Sequence, residues 1–288
     1  MAENRAAKAV KSTLYVVATP IGNLSDVTLR ALDVLRSVDV VAAEDTRVTA
    51  KLLNRHGISA GLIAVHEHNE RRAAERVVAL LAEGKSVALV SDAGTPAIAD
   101  PGARVVAAVR EAGYAVVPVP GANAAAAILS VSGFDASRYL FCGFLPARGS
   151  ERRRVLADLK MQGALLVFYE APHRVVDSVA DMCEAFGADR DIVIARELTK
   201  VHESVHRCRL GEAVEWLQAD ENHRRGEFVL LVEGAAETPG SGSADAESVL
   251  KTLLEELPLK QAVALAVKLT GGNRNDLYRM ALELKGGA

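Results

Sequence analysis

The stretch SVALVSDAGTPAIADPG, residues 86–102, decides how the rest of the chain is read. Its first half is a β-type run, Val87, Ala88, Leu89 and Val90, which stops at Ser91-Asp92 and gives way to a loop holding Gly94, Pro96, Pro101 and Gly102. Open α/β sheets bind ligands in the crevice beyond the carboxyl ends of their strands. Glycine and alanine there let a ligand lie against bare backbone, and a carboxylate such as Asp92 adds an oriented polar contact. The same residues also suit an ordinary strand-to-helix turn, so the flanking sequence has to decide between the two.

Working outward, short apolar runs alternate with amphipathic stretches. Strands are predicted at 13–18, 38–43, 62–66, 86–91 and 115–119, with helices near 27–36, 46–56, 70–83 and 102–112 between them. The last two helical patterns end at Gly84 and Gly113, as helices commonly do. This βαβ rhythm predicts a mostly parallel sheet. Beyond PVPGANAAAA the pattern changes, with strands expected at 139–144, 164–170, 190–197, 203–208 and 227–233 and helices near 150–161, 172–186 and 210–219. The simplest organisation is an N-terminal α/β lobe over 13–120 and a C-terminal α/β lobe over 121–234. A flexible linker follows at 235–245 (AAETPGSGSAD), then a small helical module over 246–288 with helices at 246–257, 259–269 and 274–284.

The 288 residues are 50% hydrophobic but only 4% aromatic, so the core is built mainly from Ala, Val, Leu and Ile, which suits parallel strands buried under helices. A net charge of −3 argues against a protein that coats nucleic acid without selectivity, so any RNA contact is local. Cys142, Cys183 and Cys208 are odd in number and widely spaced, without a CxxC, which indicates neither a disulfide framework nor a structural zinc site. The first dozen residues carry Arg5, Lys8 and Lys11 but no apolar core of a signal peptide, and no apolar run reaches the roughly 18 residues a membrane span needs. A cytoplasmic protein is expected.

Charge gathers at the strand ends. Glu44-Asp45-Thr46-Arg47 follow the second strand, where Asp45 serves either as a helix cap or, with Glu44 and Arg47, as part of a cleft edge. Glu170 with His173-Arg174, and Arg196-Glu197 with Thr199-Lys200, end two later strands and face either a ligand crevice or one another as structural ion pairs. His66-Glu67-His68 lacks a third ligand and is read as a polar loop, with no metal site expected. Arg148 and Arg152-Arg153-Arg154 form the densest basic cluster, either solvated helix charge or a phosphate-holding surface. The tail helices, with Lys260, Lys268, Arg274 and Arg279, are a helix-turn-helix module or a packing appendage.

Seven segments in order, ATPIGNLSD (18–26), AAEDTR (42–47), VSDAGTPAIADPG (90–102), VPGANAAAA (119–127), FYEAPHR (168–174), ARELTKVHE (195–203) and RGEFVLLVEG (225–234), resemble the tetrapyrrole-methylase fold family. Within it they are similar to the branch of small-subunit ribosomal RNA ribose 2′-O-methyltransferases that act on a cytidine in the decoding centre. The resemblance implies a two-lobed α/β fold holding S-adenosylmethionine between the lobes, without the GxGxxG site of ordinary methyltransferases. It implies cofactor contacts at Pro20, Ser91, Asp92, Gly94, Ile98, Ala99, Asn123, Ala124, Tyr169, Leu198 and Glu227. Candidate catalytic groups are Glu44, Asp45, Arg47, Glu170, Arg196 and Glu197, and candidate RNA contacts are Arg148, Arg152, Arg153, Arg154, His173, Arg174 and Lys200. The small ribosomal subunit, through its 16S rRNA, would be the partner, and a homodimer the working form. Small-molecule members carry a GxGPGDP-like first loop, whereas this chain reads TPIGNLSD, a departure that favours the RNA branch. A tetrapyrrole-precursor methylase and a noncatalytic RNA-binding assembly factor remain the alternatives.

Overall fold

A computed structural model describes residues 9–135, 137–236 and 246–286, and the chain divides into two compact units, Met1–Glu233 and Gly234–Ala288. Arg5, Lys8 and the linker from 237 to 245 lie outside the described residues.

The first unit holds two sheets. Strands β1 (Thr13–Val17), β2 (Val40–Ala43), β3 (Gly61–Ala64), β4 (Val87–Val90) and β5 (Ala115–Val119) form a wholly parallel sheet in the order β3-β2-β4-β1-β5. Helices α1 (Leu29–Ser37) and α2 (Thr46–Arg55) supply Leu35 and Leu53 to a core with Val17 and Val90. Helices α3 (Glu70–Ala82) and α4 (Ala103–Glu111) pack Val77, Leu81, Val105 and Val109 against Leu14 and Leu89. Strand β4 is buried on both faces along its whole length, which is why its sequence is a continuous apolar run rather than an alternating one.

The second sheet is mixed. Strands β6 (Tyr139–Phe144), β7 (Leu165–Glu170), β8 (Asp191–Arg196), β9 (Ser204–Arg209) and β10 (Phe228–Val232) take the order β6-β7-β10-β8-β9. Strand β10, last in sequence, runs antiparallel between β7 and β8. Helices α6 (Gly149–Leu159), α7 (Val175–Phe186) and α8 (Leu210–Ala219) cover one face through Leu156, Val179, Met182 and Leu217, over Phe168 and Leu230. Full burial of each such side chain stabilises the fold by about 1.5–3 kcal/mol.

The strands fall within two residues of their sequence-derived bounds. Helix α5 (Ala124–Val131) is the element that the sequence pattern does not reveal. Asn123 caps it by accepting a hydrogen bond from the Ala126 amide at 3.1 Å, and Ala125 and Ile128 seat it on the face of the second sheet opposite α6 to α8. Its four alanines carry helix propensity but no amphipathic signature, so periodicity alone could not find it.

The second unit is three helices, α9 (Ala246–Glu256), α10 (Leu259–Thr270) and α11 (Arg274–Gly286), around Leu250, Val263, Ala266, Leu277 and Ala281. Pro258 stands at the N-cap of α10 and Gly271 ends it in the left-handed conformation.

Candidate ligand cleft and its charged rim

The carboxyl ends of β1 and β4 sit side by side in the first sheet, and their loops are tied together. Thr19 and Gly94 exchange both backbone hydrogen bonds, at 2.8 and 3.0 Å, while the Thr19 hydroxyl donates to the Ser91 carbonyl at 3.0 Å. Gly94 adopts φ +79°, a conformation that favours glycine. This tie aims Ile21 at the α5 face of the second sheet, where it packs with Ala124, Tyr169, Leu198 and Val229. Between the loops and that face lies a cleft of about 340 Å³ lined by Ile21, Ala93, Gly94, Thr95, Ile98, Asp100, Asn123, Ala124, Phe144, Tyr169, Glu170, Ala171, Pro172, Leu198, Glu227, Phe228 and Val229. Its volume suits a small organic ligand.

Two strained loops form opposite walls. Ala97 and Ala99 on one side, and Glu197 and Thr199 on the other, hold φ between 52° and 68° without being glycine. Each such residue costs on the order of 1–3 kcal/mol, a strain that proteins concentrate at ligand clamps. On the second wall the Glu197 carboxylate accepts from the Lys200 ammonium at 2.9 Å and from the Glu227 amide at 2.9 Å, and Lys200 also reaches Glu227 at 3.0 Å. Burial raises the Glu197 carboxyl, but these donors and the positive charge of Lys200 outweigh it and hold the group below its ordinary value. Burial likewise works against the charged Lys200, and its two carboxylate partners more than offset that. The Lys200 stem lies so close to Gly22 that a Cβ there would meet its Cγ at 2.5 Å, so the two lobes touch at this point.

The acidic residues at the first sheet's edge behave differently from one another. Asp45 caps α2 by accepting from the Arg47 amide at 2.8 Å, and the Arg47 guanidinium grips the same carboxylate at 2.6 Å, which lowers its pKa to about 2. Glu44 accepts from the Asp92 amide at 3.2 Å while Asp92 accepts from the Asp45 amide at 2.9 Å, a reciprocal lash between the ends of β2 and β4. Asp100, which sequence reasoning missed, lines the cleft itself. Burial first, then repulsion from Glu44, against a hydrogen bond from Ser91, push its carboxyl up to about 6. Burial also raises Glu44, opposed by the Asp92 amide and reinforced by the Asp92 and Asp45 charges. The signal for Asp100 was its position in the 90–102 loop ahead of Pro101-Gly102, where a polar residue ends an otherwise apolar AIA run.

Of the residues expected to hold a cofactor, Gly94, Ile98, Asn123, Ala124, Tyr169, Leu198 and Glu227 line the cleft, and Pro20, Ser91, Asp92 and Ala99 do not. The Asp92 carboxylate accepts from the Asp45 amide and the Ser91 backbone carbonyl accepts from the Thr19 hydroxyl. Of the candidate catalytic groups only Glu170 reaches the cleft, and its side chain is fully buried. Its carboxylate accepts from the Ser178 hydroxyl at 2.5 Å and the Ala171 amide at 2.8 Å and pairs with Arg174 at 3.3 Å. Glu44 is occupied by the Asp92 amide, Asp45 and Arg47 by each other, and Glu197 by Lys200. Arg196 makes no ion pair with Glu197, one of the two alternatives that the sequence left open. Its guanidinium donates to the carbonyls of His202 and Arg225, at 3.0 and 3.4 Å, and to Ser204 at 3.3 Å.

The basic residues divide into buried or paired groups and exposed ones. Arg152, expected to hold phosphate, is buried: its side chain is 8% exposed and pairs with Asp181, itself 11% exposed, at 2.6 Å. Arg153 shares Asp181 at 3.3 Å, Arg174 is spent on Glu170 and the Leu145 carbonyl, and Lys200 is spent on Glu197 and Glu227. Arg148 pairs with Glu151 at 3.4 Å on the surface, while exposed Arg154 and His173 make no side-chain hydrogen bond or ion pair among the described residues. No group of three metal-binding side chains occurs among the described residues, and no helix there is long and apolar enough to cross a membrane.

Residues 13–214 match the family of Tetrapyrrole (Corrin/Porphyrin) Methylases, and residues 240–285 match the RsmI C-terminal HTH domain. The chain is 48% identical over 286 residues to Ribosomal RNA small subunit methyltransferase I of Escherichia coli O157:H7, covering 99% of this chain and 100% of the relative. The Pseudomonas aeruginosa protein of the same name is 49% identical over 276 residues, covering 95% and 98%. Among solved structures, the cobalt precorrin-4 methyltransferase CbiF aligns with a TM-score of 0.58 at 18% identity, over 82% of this chain and 99% of its own. A uroporphyrin-III-C-methyltransferase from Thermus thermophilus aligns with a TM-score of 0.56 at 21% identity, over 77% and 94%.

Proposed function

The chain belongs to the tetrapyrrole methylase family, and from that premise we propose that it transfers a methyl group from S-adenosylmethionine to the 2′-hydroxyl of a cytidine ribose in the decoding centre of small-subunit ribosomal RNA. The observation that carries this is the likeness to small-subunit rRNA methyltransferases over essentially the full length, C-terminal module included. The tetrapyrrole enzymes share only the fold, at about a fifth of residues identical.

The cleft suits such a donor. Its apolar walls at Ile21, Ile98, Phe144, Leu198 and Val229 take up flat and aliphatic parts, and the Asp100 carboxylate complements positive charge. When bound, the donor supplies an electrophilic methyl group on a sulfonium. The protein's own task is to hold that methyl in line with the acceptor oxygen and to exclude water. Alignment of this kind is worth on the order of 7 kcal/mol or more in favourable cases. The ties between Thr19 and Gly94, and between Glu197, Lys200 and Glu227, fix the two walls before any ligand arrives.

Labelled S-adenosylmethionine, offered with assembled small subunits, deproteinised rRNA and a tetrapyrrole precursor in separate reactions, tests the function. Label in the rRNA of the subunit, at a position that resists alkaline cleavage because the 2′-oxygen is blocked, is the expected result. Label in the tetrapyrrole, or none, overturns it.

Asp100 gives the donor site a pH dependence. Its carboxyl titrates at about 6, above the ordinary aspartate value of 3.8, so between those values the folded chain holds a proton that the unfolded chain has lost. Stability from this group therefore falls as pH rises through that window. A cationic donor favours the ionised form, so its affinity should rise as pH climbs through about 6. Calorimetry on Asp100→Asn should show a flattened profile and donor binding weaker by at least about tenfold at neutral pH. An unchanged profile removes Asp100 from the donor site.

The proposal includes a cytoplasmic homodimer. Tyr139 and Leu140, exposed along the edge strand β6, are consistent with a contact between copies, and a sedimenting mass of one chain would overturn that part.

A further inference from the structure

A second concavity, of about 410 Å³, borders the cleft: the two share Pro172, and the rest of its lining is His173, Val176, Glu221, Arg224 and Arg225. It is formed by the turn after β7, the first residues of α7 and the 3-10 turn Glu221–Arg224 that precedes β10. Its charge is mainly basic. Glu221 is answered by Arg225 at 2.7 Å, while the side chains of Arg224 and His173 make no hydrogen bond or ion pair among the described residues.

The turn that presents these arginines is held firmly. Asp220 caps it by accepting from the Asn222 amide at 2.8 Å, and the Arg225 carbonyl accepts from Arg196 at 3.4 Å. His223, between Asn222 and Arg224, points inward and stacks on Trp216 at a centroid distance of 4.0 Å, with its Nδ1 2.7 Å from the Trp216 carbonyl. The other face of Trp216 carries His206 at 4.1 Å, so three parallel rings clamp the base of the turn. Burial, and then the neighbouring His223, lower the pKa of His206, which favours the neutral ring in the stack. Long side chains on a fixed backbone can hold an anion at lower entropic cost than side chains on a mobile loop.

We propose that His173, Arg224 and Arg225 form a phosphate subsite that holds the RNA backbone beside the nucleotide whose ribose enters the cleft. This rests on the RNA reading given above and adds the subsite's place and residues. Phosphodiester oxygens match the guanidinium fork of Arg224, and Arg225 is half-neutralised by Glu221 until a phosphate competes for it. Phosphate binding of this kind sets strand register, while the cleft chooses the ribose. The subsite replaces Arg152, Arg174 and Lys200, which the sequence suggested and ion pairs occupy.

The unsubstituted chain, Arg224→Ala and the double variant Arg224→Ala/Arg225→Ala should be compared for affinity to assembled small subunits across a range of salt. Both side chains are exposed, so folding is preserved. The double variant should bind roughly tenfold or more weakly at moderate salt. The slope of log affinity against log salt should become shallower by about 0.7 for each single-strand phosphate that the variant no longer neutralises. Affinity for S-adenosylmethionine, read by calorimetry, should not change. A photocrosslinking side chain at position 224 should label rRNA. An unaltered salt slope, or crosslinks to ribosomal protein alone, overturns the subsite while a wild type that still methylates rRNA leaves the function standing. A wild type that neither binds nor methylates the subunit fails both.

Discussion

Replacing Gly226 with alanine should cripple donor binding and destabilise the first unit together. Gly226 sits at φ +91°, and a Cβ there would overlap Cγ, Cδ and Oε1 of Glu197, the last two at 2.5 Å. Glu197 cannot simply swing away, because Lys200 and the Glu227 amide hold its carboxylate and its own backbone is at φ 52°. The left-handed backbone costs about 1–2 kcal/mol for a residue with a Cβ, and forcing extra volume into a packed site about 1–3 kcal/mol more. A loss of about 2–5 kcal/mol in urea denaturation is expected. Donor affinity should fall by about tenfold or more, since Glu227 and Leu198 on the displaced wall line the cleft. In a Glu197→Ala background the steric share disappears, so Gly226→Ala should cost only the backbone share there. Equal costs in both backgrounds would show that Glu197 is not the obstacle.

The second large effect is expected at Arg152→Ala, and it falls on stability rather than on RNA affinity. The change leaves Asp181 buried on the inner face of α7, with only the half-exposed Arg153 at 3.3 Å in reach. Breaking a buried pair by removing one partner costs about 3–5 kcal/mol. The midpoint of denaturation should drop accordingly, while Arg154→Ala, on the exposed side of the same helix, should stay within about 0.5 kcal/mol of wild type. Replacing both members by well-packed apolar residues should recover most of the loss, because the pair's desolvation disappears with it. An Arg152→Ala protein of normal stability with weakened RNA binding would return this residue to the RNA surface.

These two positions show where a linear sequence speaks and where it is silent. The parallel sheet was legible because βαβ alternation and apolar runs such as VALV leave few other arrangements. The cleft was legible at Gly94 because an apolar run that stops in a small-residue loop marks the ligand edge of an open sheet, whereas Ile98, Asn123 and Leu198 followed from the resemblance of their segments to the family. The RRR run was misread as one surface. Helical spacing places Arg152 four residues from buried Leu156 and so on the inward face, a signal present in the sequence but masked by composition. Asp100 was missed because its raised pKa comes from burial and from Glu44, 56 positions earlier in the chain, a proximity that only the folded sheet creates. The lash between Glu44 and Asp92 hid for the same reason. Its four acid and amide groups follow the ends of strands that are neighbours in space, and the paired residues are 47 to 48 apart in sequence.

The position of β10 has a consequence for biosynthesis. The parallel sheet is complete in sequence at Val119, so it has all its strands while later residues are still being added at the ribosome. The mixed sheet has no such early completion: its middle position is taken by Phe228–Val232, and until that segment emerges β7 and β8 have nothing between them. Assembly of this half of the molecule is therefore timed by its final strand, and a nascent chain stopped before residue 228 carries two open strand edges for other polypeptides to pair with.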